Sequence, residues 1–386
     1  MSLTTPLRAV SRDVEPAGEL MARLRPLALR SLGRMYRPDE RLFVFRVRAA
    51  GRDVVAEGLS RRYSAISVIG MAEDESVKAR AVLGGHDLHD VCGRLMSDVS
   101  RLVKPGDVAL ILWAAAAAGY ADRQWARDRL VELAPAEGAY QTVPVAWSLA
   151  ALCADAEAPV GDLRERLARR LMRACSSISG IFPHGLGEEG GGLRAHVACF
   201  ADLVYPVHAL ALYHRLTGDP EAARVATRCA EQFCRRQGPD GQWWWHYDRR
   251  TGAVVEGYPV YAVHQDAMAP MALFALGAAT SVDYSAPIAR GLAWLARSPE
   301  LRGGSLVDEA ADLIWRKVAR REPGKLSRYA QAMVSSVHAG MRVPGLDLVF
   351  PPVTVDREDR PYHLGWLLYA WPARRVAAWR GDVGPR

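Results

Sequence analysis

The pattern of apolar and polar positions changes character near residue 60. Before it, residues 16–34 carry apolar side chains on one helical face. The stretch "RLFVFRVRAAGRDVVAEG" (41–58) then alternates about a glycine-containing turn. These patterns predict one amphipathic helix and one β-hairpin. Beyond residue 60 the period of two nearly vanishes and a succession of helices follows. An apolar set falls near 62–72, 107–119, 144–154, 206–216, 270–280, 310–320 and 361–378. Between them lies an Arg/Glu-rich amphipathic set near 87–103, 122–134, 160–176, 220–237, 285–298 and 326–340. A helix apolar on most sides is buried, whereas one with a charged face lies outside. The alternation therefore predicts an inner ring of helices within an outer ring.

Three inner segments share a finer pattern. Pro144, Pro206 and Pro270 recur 62 and 64 residues apart, and Asp202 and Asp266 each stand four residues before their proline. Asp219 and Asp283 follow thirteen residues after theirs. Such a period marks a structural repeat. Proline suits the first turn of a helix, so these prolines are expected at or near inner-helix starts.

Residues 237–243, "QGPDGQW", supply Gln237, Gly241 and Trp243 in the spacing Q-x3-G-x-W. This resembles the core of the QW motif of squalene-cyclase-like and prenyltransferase-like α/α toroids. The "DG-x-W" within it is also similar to segments of six-hairpin glycosidases and α/α polysaccharide lyases. The resemblance implies an all-α fold, an (α/α)6-type toroid over residues 61–386, with a small N-terminal helix and β-hairpin extension over residues 1–60. In such a toroid Gln237 and Trp243 stitch an outer helix to its neighbour.

The connections are unequal in length. Segments 177–205, 238–269 and 341–360 are long and lead into inner helices, so they should share one rim. Long loops in compact domains carry function more often than short ones. The segment 238–269 contains "WWWHYD", and on an extended strand neighbouring side chains face opposite ways. At least one of the three tryptophans should therefore face the rim cavity. Trp244, Trp245, Tyr247, Tyr261, His184, Glu189, Tyr362 and His363 form the expected substrate surface. Asp266 and Asp202 are the acid/base candidates, with His264, His246 and Tyr258 as proton-transfer partners. The competing role for both aspartates is capping of the helices they precede.

Composition narrows the function classes. The net charge is +7, carried almost entirely by arginine, with no long basic block or nucleic-acid motif, so no nucleic-acid partner is expected. The longest apolar run, 108–121, is too short for a membrane span, and the N-terminus shows no signal-peptide pattern. The six cysteines form no C-x-x-C pair, which suits reduced thiols and a cytoplasmic location. "HDLHDVC" (86–92) resembles the Asp-x-Cys ligand pair of protein prenyltransferases, with His363 as a conceivable third ligand. It lies on an early outer helix, away from the rim, so neither a metal nor any other cofactor is expected. "LVDEAAD" (306–312) does not match the Asp-x-Asp-Asp order of terpene cyclases. The rim's Tyr, His, Trp and carboxylates, with only seven phenylalanines in the chain, favour a carbohydrate-active enzyme. Hydrolase, lyase or epimerase chemistry on a small or oligomeric saccharide, including an acidic one, would suit it. An isoprenoid cyclase or prenyltransferase-like enzyme is the alternative, and a non-catalytic helical binding scaffold the third.

Overall fold

The computed structural model describes residues 15–51, 53–74, 76–187, 194–322 and 326–382. Helix α1 (Ala17–Met35) leads through the two-residue strand β1 (Tyr36–Arg37) into the hairpin β2 (Leu42–Ala50) and β3 (Asp53–Leu59). The hairpin turns at Gly51, whose φ of +68° suits a residue without a Cβ. Inner and outer helices then alternate. Ser60 caps α2 (Arg61–Met71), with its side chain accepting from the Tyr63 N–H. After the short α3 (Ser76–Val82) come α4 (Leu88–Met96), α5 (Pro105–Ala117), α6 (Gln124–Glu132), α7 (Thr142–Ala154) and α8 (Leu163–Ala174). Strand β4 (Val197–Cys199) precedes α9 (Phe200–Thr217) and α10 (Pro220–Arg235).

Strands β5 (His246–Asp248), β6 (Val254–Glu256) and β7 (Val260–Tyr261) occupy the next long connection. A π turn at His264–Met268 runs directly into α11 (Ala269–Thr280), which α12 (Ser285–Ala296) follows. Then come β8 (Val307–Asp308), β9 (Leu313–Ile314), β10 (Lys317–Ala319), α13 (Leu326–Val337) and α14 (Leu346–Val349). Strands β11 (Thr354–Asp356) and β12 (Glu358–Asp359) lead into α15 (Pro361–Ala370) and α16 (Ala373–Arg380).

The six inner helices α2, α5, α7, α9, α11 and α15 pack each on the next, and α15 closes on α2. Helices α4, α6, α8, α10 and α12 lie outside them, and α1 packs on α12, α15 and α16. The fold is an α/α toroid, mostly helical, with small β elements. Its closure depends on a close approach. A Cβ on Gly70 of α2 would overlap the Gly365 carbonyl of α15, and one on Gly365 would lie 2.6 Å from the Ile66 carbonyl oxygen.

Four expectations are corrected. Residues 310–320 are not an inner helix. They form β9 and β10, because Ile314 and Val318 are buried in pairings with β8 on one side and with β7 and β11 on the other. The helix expected at 361–378 is two helices, broken at Trp371–Pro372. The segment 326–340 is not an outer-ring member, since α13 packs on β6 in a long connection. Pro206 is the seventh residue of α9 rather than near its start, because Asp202 already closes the helix end three residues after Cys199. Pro270, by contrast, is the second residue of α11, behind the π turn. All six cysteines are free, and among the described residues no helix is long and apolar enough to cross a membrane.

Candidate functional site

The three tryptophans separate. Trp243 is fully buried, stacked on Phe200 at 5.9 Å and edge-on to Phe233 at 5.5 Å. Beside it, the Gln237 amide donates to the Gly241 and Pro287 carbonyls and so ties the end of α10 to α12. Trp244 meets Tyr258 edge-on at 6.0 Å, in a loop cavity away from the ring. Trp245 stacks on His246 at 4.0 Å, meets Tyr261 at 5.3 Å and carries the Arg328 guanidinium over its ring at 4.8 Å.

The starts of the inner helices bring a second set together at one mouth. The Arg62 Nε of α2 donates to Asp107 Oδ1 of α5 at 2.6 Å, and its guanidinium lies 5.7 Å from the Trp147 ring of α7. Trp147 meets Tyr205 of α9 at 5.1 Å. Tyr63 meets Tyr362 at 4.9 Å, and Arg360 Nη1 donates to the Tyr63 hydroxyl. A cavity of about 420 Å³ opens beside Arg62 and Asp107, between the ends of the hairpin and the starts of α2 and α5. None of the expected site residues lines it.

Asp202 sits fully buried in the first turn of α9. Its Oδ2 accepts the Cys199 backbone N–H at 2.8 Å and the His184 Nδ1–H at 3.0 Å. The expected cap is therefore present, and the same carboxylate orients a histidine. His184 is half exposed, and its Nε2 faces the Gln141 amide at 3.1 Å. Ligand atoms of His184, Cys199 and Asp202 lie within 4.8 Å of one another. Burial, then the Asp202 charge, pushes the Cys199 thiol well above its usual range, so it stays protonated.

Asp266, the repeat partner of Asp202, has a different environment. It lies in the π turn, fully buried, with both carboxylate oxygens within 2.9 Å of His363 Nε2. His363 Nδ1 stands 3.9 Å from Asp359. Burial works to lower the His363 pKa, but the charge and hydrogen bond of Asp266 outweigh it, and the net shift is upward. Burial raises Asp359 to about 6.

His264 is enclosed by Phe200 and Tyr261, and burial lowers it to about 3, so it stays neutral. Burial also lowers His246, followed by the charge of Arg194, whose Nη2 donates to His246 Nε2 at 3.2 Å. Tyr247 is fully buried against Phe200. Glu189 lies outside the described residues. Tyr261 carries Arg316 and Lys317 over its ring, at 5.3 and 5.4 Å.

Below the mouth the axis of the ring is filled. Trp113 of α5 packs against His208 of α9 and against Trp366 and Tyr369 of α15, each at 5.4 Å. These helices alternate around the ring, so such contacts must cross its centre. The mouth is therefore a shallow polar basin over an aromatic floor. Sequence reading missed Arg62, Asp107, Trp147, Tyr205, Arg194 and Arg328. Pro105, two residues before Asp107, marked the start of α5, but only the ring register turns these side chains toward one another.

No protein-family model matches the chain, and no curated protein matches it. Solved structures do. An unsaturated glucuronyl hydrolase from Bacillus sp. GL1 aligns over 95% of this chain and 97% of its own, at 13% identity and a TM-score of 0.58. One from Streptococcus agalactiae aligns over 97% of each chain, at 8% identity and a TM-score of 0.55. A glycosidase in complex with glucose aligns over 97% and 100%, at 15% identity and a TM-score of 0.53. At these identities the likeness establishes the α/α toroid fold.

Proposed function

We propose that the protein is a carbohydrate-active enzyme that works on an acidic saccharide at the mouth, with Asp202 and His184 as its proton-transfer pair. The observation that carries this reading is the pair itself. A buried carboxylate fixes the Nδ1–H of a half-exposed imidazole, leaving Nε2 to accept or return a proton at the basin. Gln141, an exposed side chain, holds that nitrogen until a substrate displaces it. Asp107, which accepts the Arg62 Nε–H at the start of α5, stands two inner helices away around the mouth, where it can steady positive charge developing on a sugar ring.

Arg194 and Arg328 favour an acidic substrate. Among the described residues neither has a carboxylate within ion-pair distance, and both flank Trp245 and His246. Burial, then the Arg328 charge, lowers the Arg194 pKa. Two guanidiniums in this position favour an incoming anion. The names of the similar structures, two unsaturated glucuronyl hydrolases and a glycosidase, agree with this class and favour hydrolysis within it. The aromatic floor weighs against a deep apolar well for an isoprenoid chain.

The test is incubation with a panel of neutral, uronic and unsaturated uronic oligosaccharides, with products followed by mass spectrometry. Cleavage of a uronic member that His184→Ala abolishes, with folding intact, is the expected result. The filled axis favours a second reading, a saccharide-binding scaffold. Binding of the same oligosaccharide without turnover would select it, and absence of both would sink the carbohydrate reading.

A further inference from the structure

The loop cavity beside Trp244 shares no lining residue with the mouth. It encloses about 370 Å³, within the range of roughly 300–1,000 Å³ that small-molecule sites occupy. Four separate segments converge on it: 239–244 after α10, 255–258 around β6, 299–300 after α12, and 342–347. Arg320 beyond β10 and Gln331 of α13 complete the wall. Trp244 and Tyr258 give it an aromatic side.

Its electrostatics oppose those of the mouth. Asp240, Glu256, Glu300 and Asp347 line it against two guanidiniums, Arg320 and Arg342. Glu300 is held as an acceptor by the Tyr258 hydroxyl at 2.7 Å, Trp294 Nε1 at 3.0 Å and Gln242 Nε2 at 3.1 Å. Glu256 is only 3% exposed, and its Oε1 accepts the Tyr258 backbone N–H at 2.9 Å and Arg320 Nη2 at 3.1 Å. Its Oε2 has no partner. A buried acceptor left unpaired costs stability. A donor brought in by a ligand removes that cost, and the surplus of carboxylates selects a donor with positive charge. Arg320 already lies over the Tyr258 ring at 5.1 Å, and the Trp244 ring favours the same sign.

We propose that this cavity is a second ligand site, for a protonated amine carried on a pyranose-sized ring, with Glu256 as its principal anchor. The site stands independently of the reading of the mouth. An amino sugar would place its ammonium against Glu256 and Asp347 and its ring beside Trp244.

The test is calorimetric or NMR titration of the whole chain with glucosamine, glucose and glucuronate. Glucosamine should bind saturably and at least tenfold tighter than glucose, with glucuronate weakest. Glu256→Gln, which keeps the acceptor for Tyr258 and Arg320, should weaken glucosamine at least tenfold. Asp347 is 71% exposed at the edge of the cavity and pairs with Arg320 at 2.5 Å, so Asp347→Asn removes its charge while keeping an acceptor for that guanidinium and should weaken binding several-fold. Equal binding of glucosamine and glucose would overturn the proposal. So would glucosamine affinity that Arg328→Gln lowers while Glu256→Gln and Asp347→Asn leave it unchanged, because the ligand would then sit at the mouth.

Discussion

His184 Nδ1 stands 3.0 Å from Asp202 Oδ2, and the two differ sharply in access: the histidine side chain is 46% exposed and the aspartate 0%. The exposed member can meet a substrate, and the buried one sets its tautomer and orientation. Asp202→Asn can still accept the Cys199 N–H but no longer stabilises a protonated His184. Turnover of the saccharide found by screening should fall roughly 10²–10⁴-fold. Loss of cap strength should cost no more than about 0.5–2 kcal/mol, read from a denaturant melt. Unchanged turnover would reduce Asp202 to a cap.

Arg328 should act on affinity rather than on chemistry. Arg328→Gln is expected to raise KM for a uronic oligosaccharide about tenfold or more, with kcat nearly unchanged and neutral oligosaccharides unaffected. An equal loss for neutral and acidic substrates would remove the anion-anchor role.

Metal removal should be without effect. Asp202 and His184 already satisfy one another, and burial keeps the Cys199 thiol protonated. Dialysis against a chelator should leave turnover unchanged. Activity lost on chelation and restored by zinc would instead make His184, Cys199 and Asp202 a ligand set.

The join between α2 and α15 should tolerate no added methyl group. Gly70→Ala drives a Cβ into the backbone at Gly365, which cannot move aside as a side chain would. Overpacking of this kind typically costs about 1–3 kcal/mol. Urea melts should show at least that loss for Gly70→Ala and for Gly365→Ala. Wild-type midpoints would mean that the two helices are not in contact there.

Asp359 should make the fold less stable as pH rises. Its folded pKa, about 6, lies above its usual value of 3.8, so the folded state holds the proton more tightly. The resulting stabilisation is fully present below about pH 4 and is lost as pH climbs through 6. His363 is also raised, so its contribution is present below its unfolded value and fades at higher pH. Asp359→Asn should flatten stability between pH 4 and 6, by on the order of 2–3 kcal/mol relative to wild type. An unchanged profile in chemical denaturation would place the pH dependence elsewhere.

The sequence by itself determined the ring. Helices apolar on most sides must be buried, amphipathic ones must cover them, and the period of two at 41–58 marked the main hairpin. Local signals also placed the stitch at Gln237 and the helix-end role of Asp202. Tertiary structure decided what periodicity cannot carry. Residues 313–319 are apolar enough for a buried helix, but 313–314 pair with 307–308, and 317–319 pair with 260–261 and 354–356 far away in the chain, which turns them into strands. Asp202 and Asp266 look equivalent in the repeat. One receives a half-exposed histidine from a rim loop and the other a buried histidine from α15, which gives them different surroundings. The three adjacent tryptophans reach the core, the loop cavity and the edge of the mouth, because each side chain's neighbours are supplied by segments remote in sequence. The basin that joins Arg62, Asp107, Trp147 and Tyr205 exists only once six helix starts are brought around one axis.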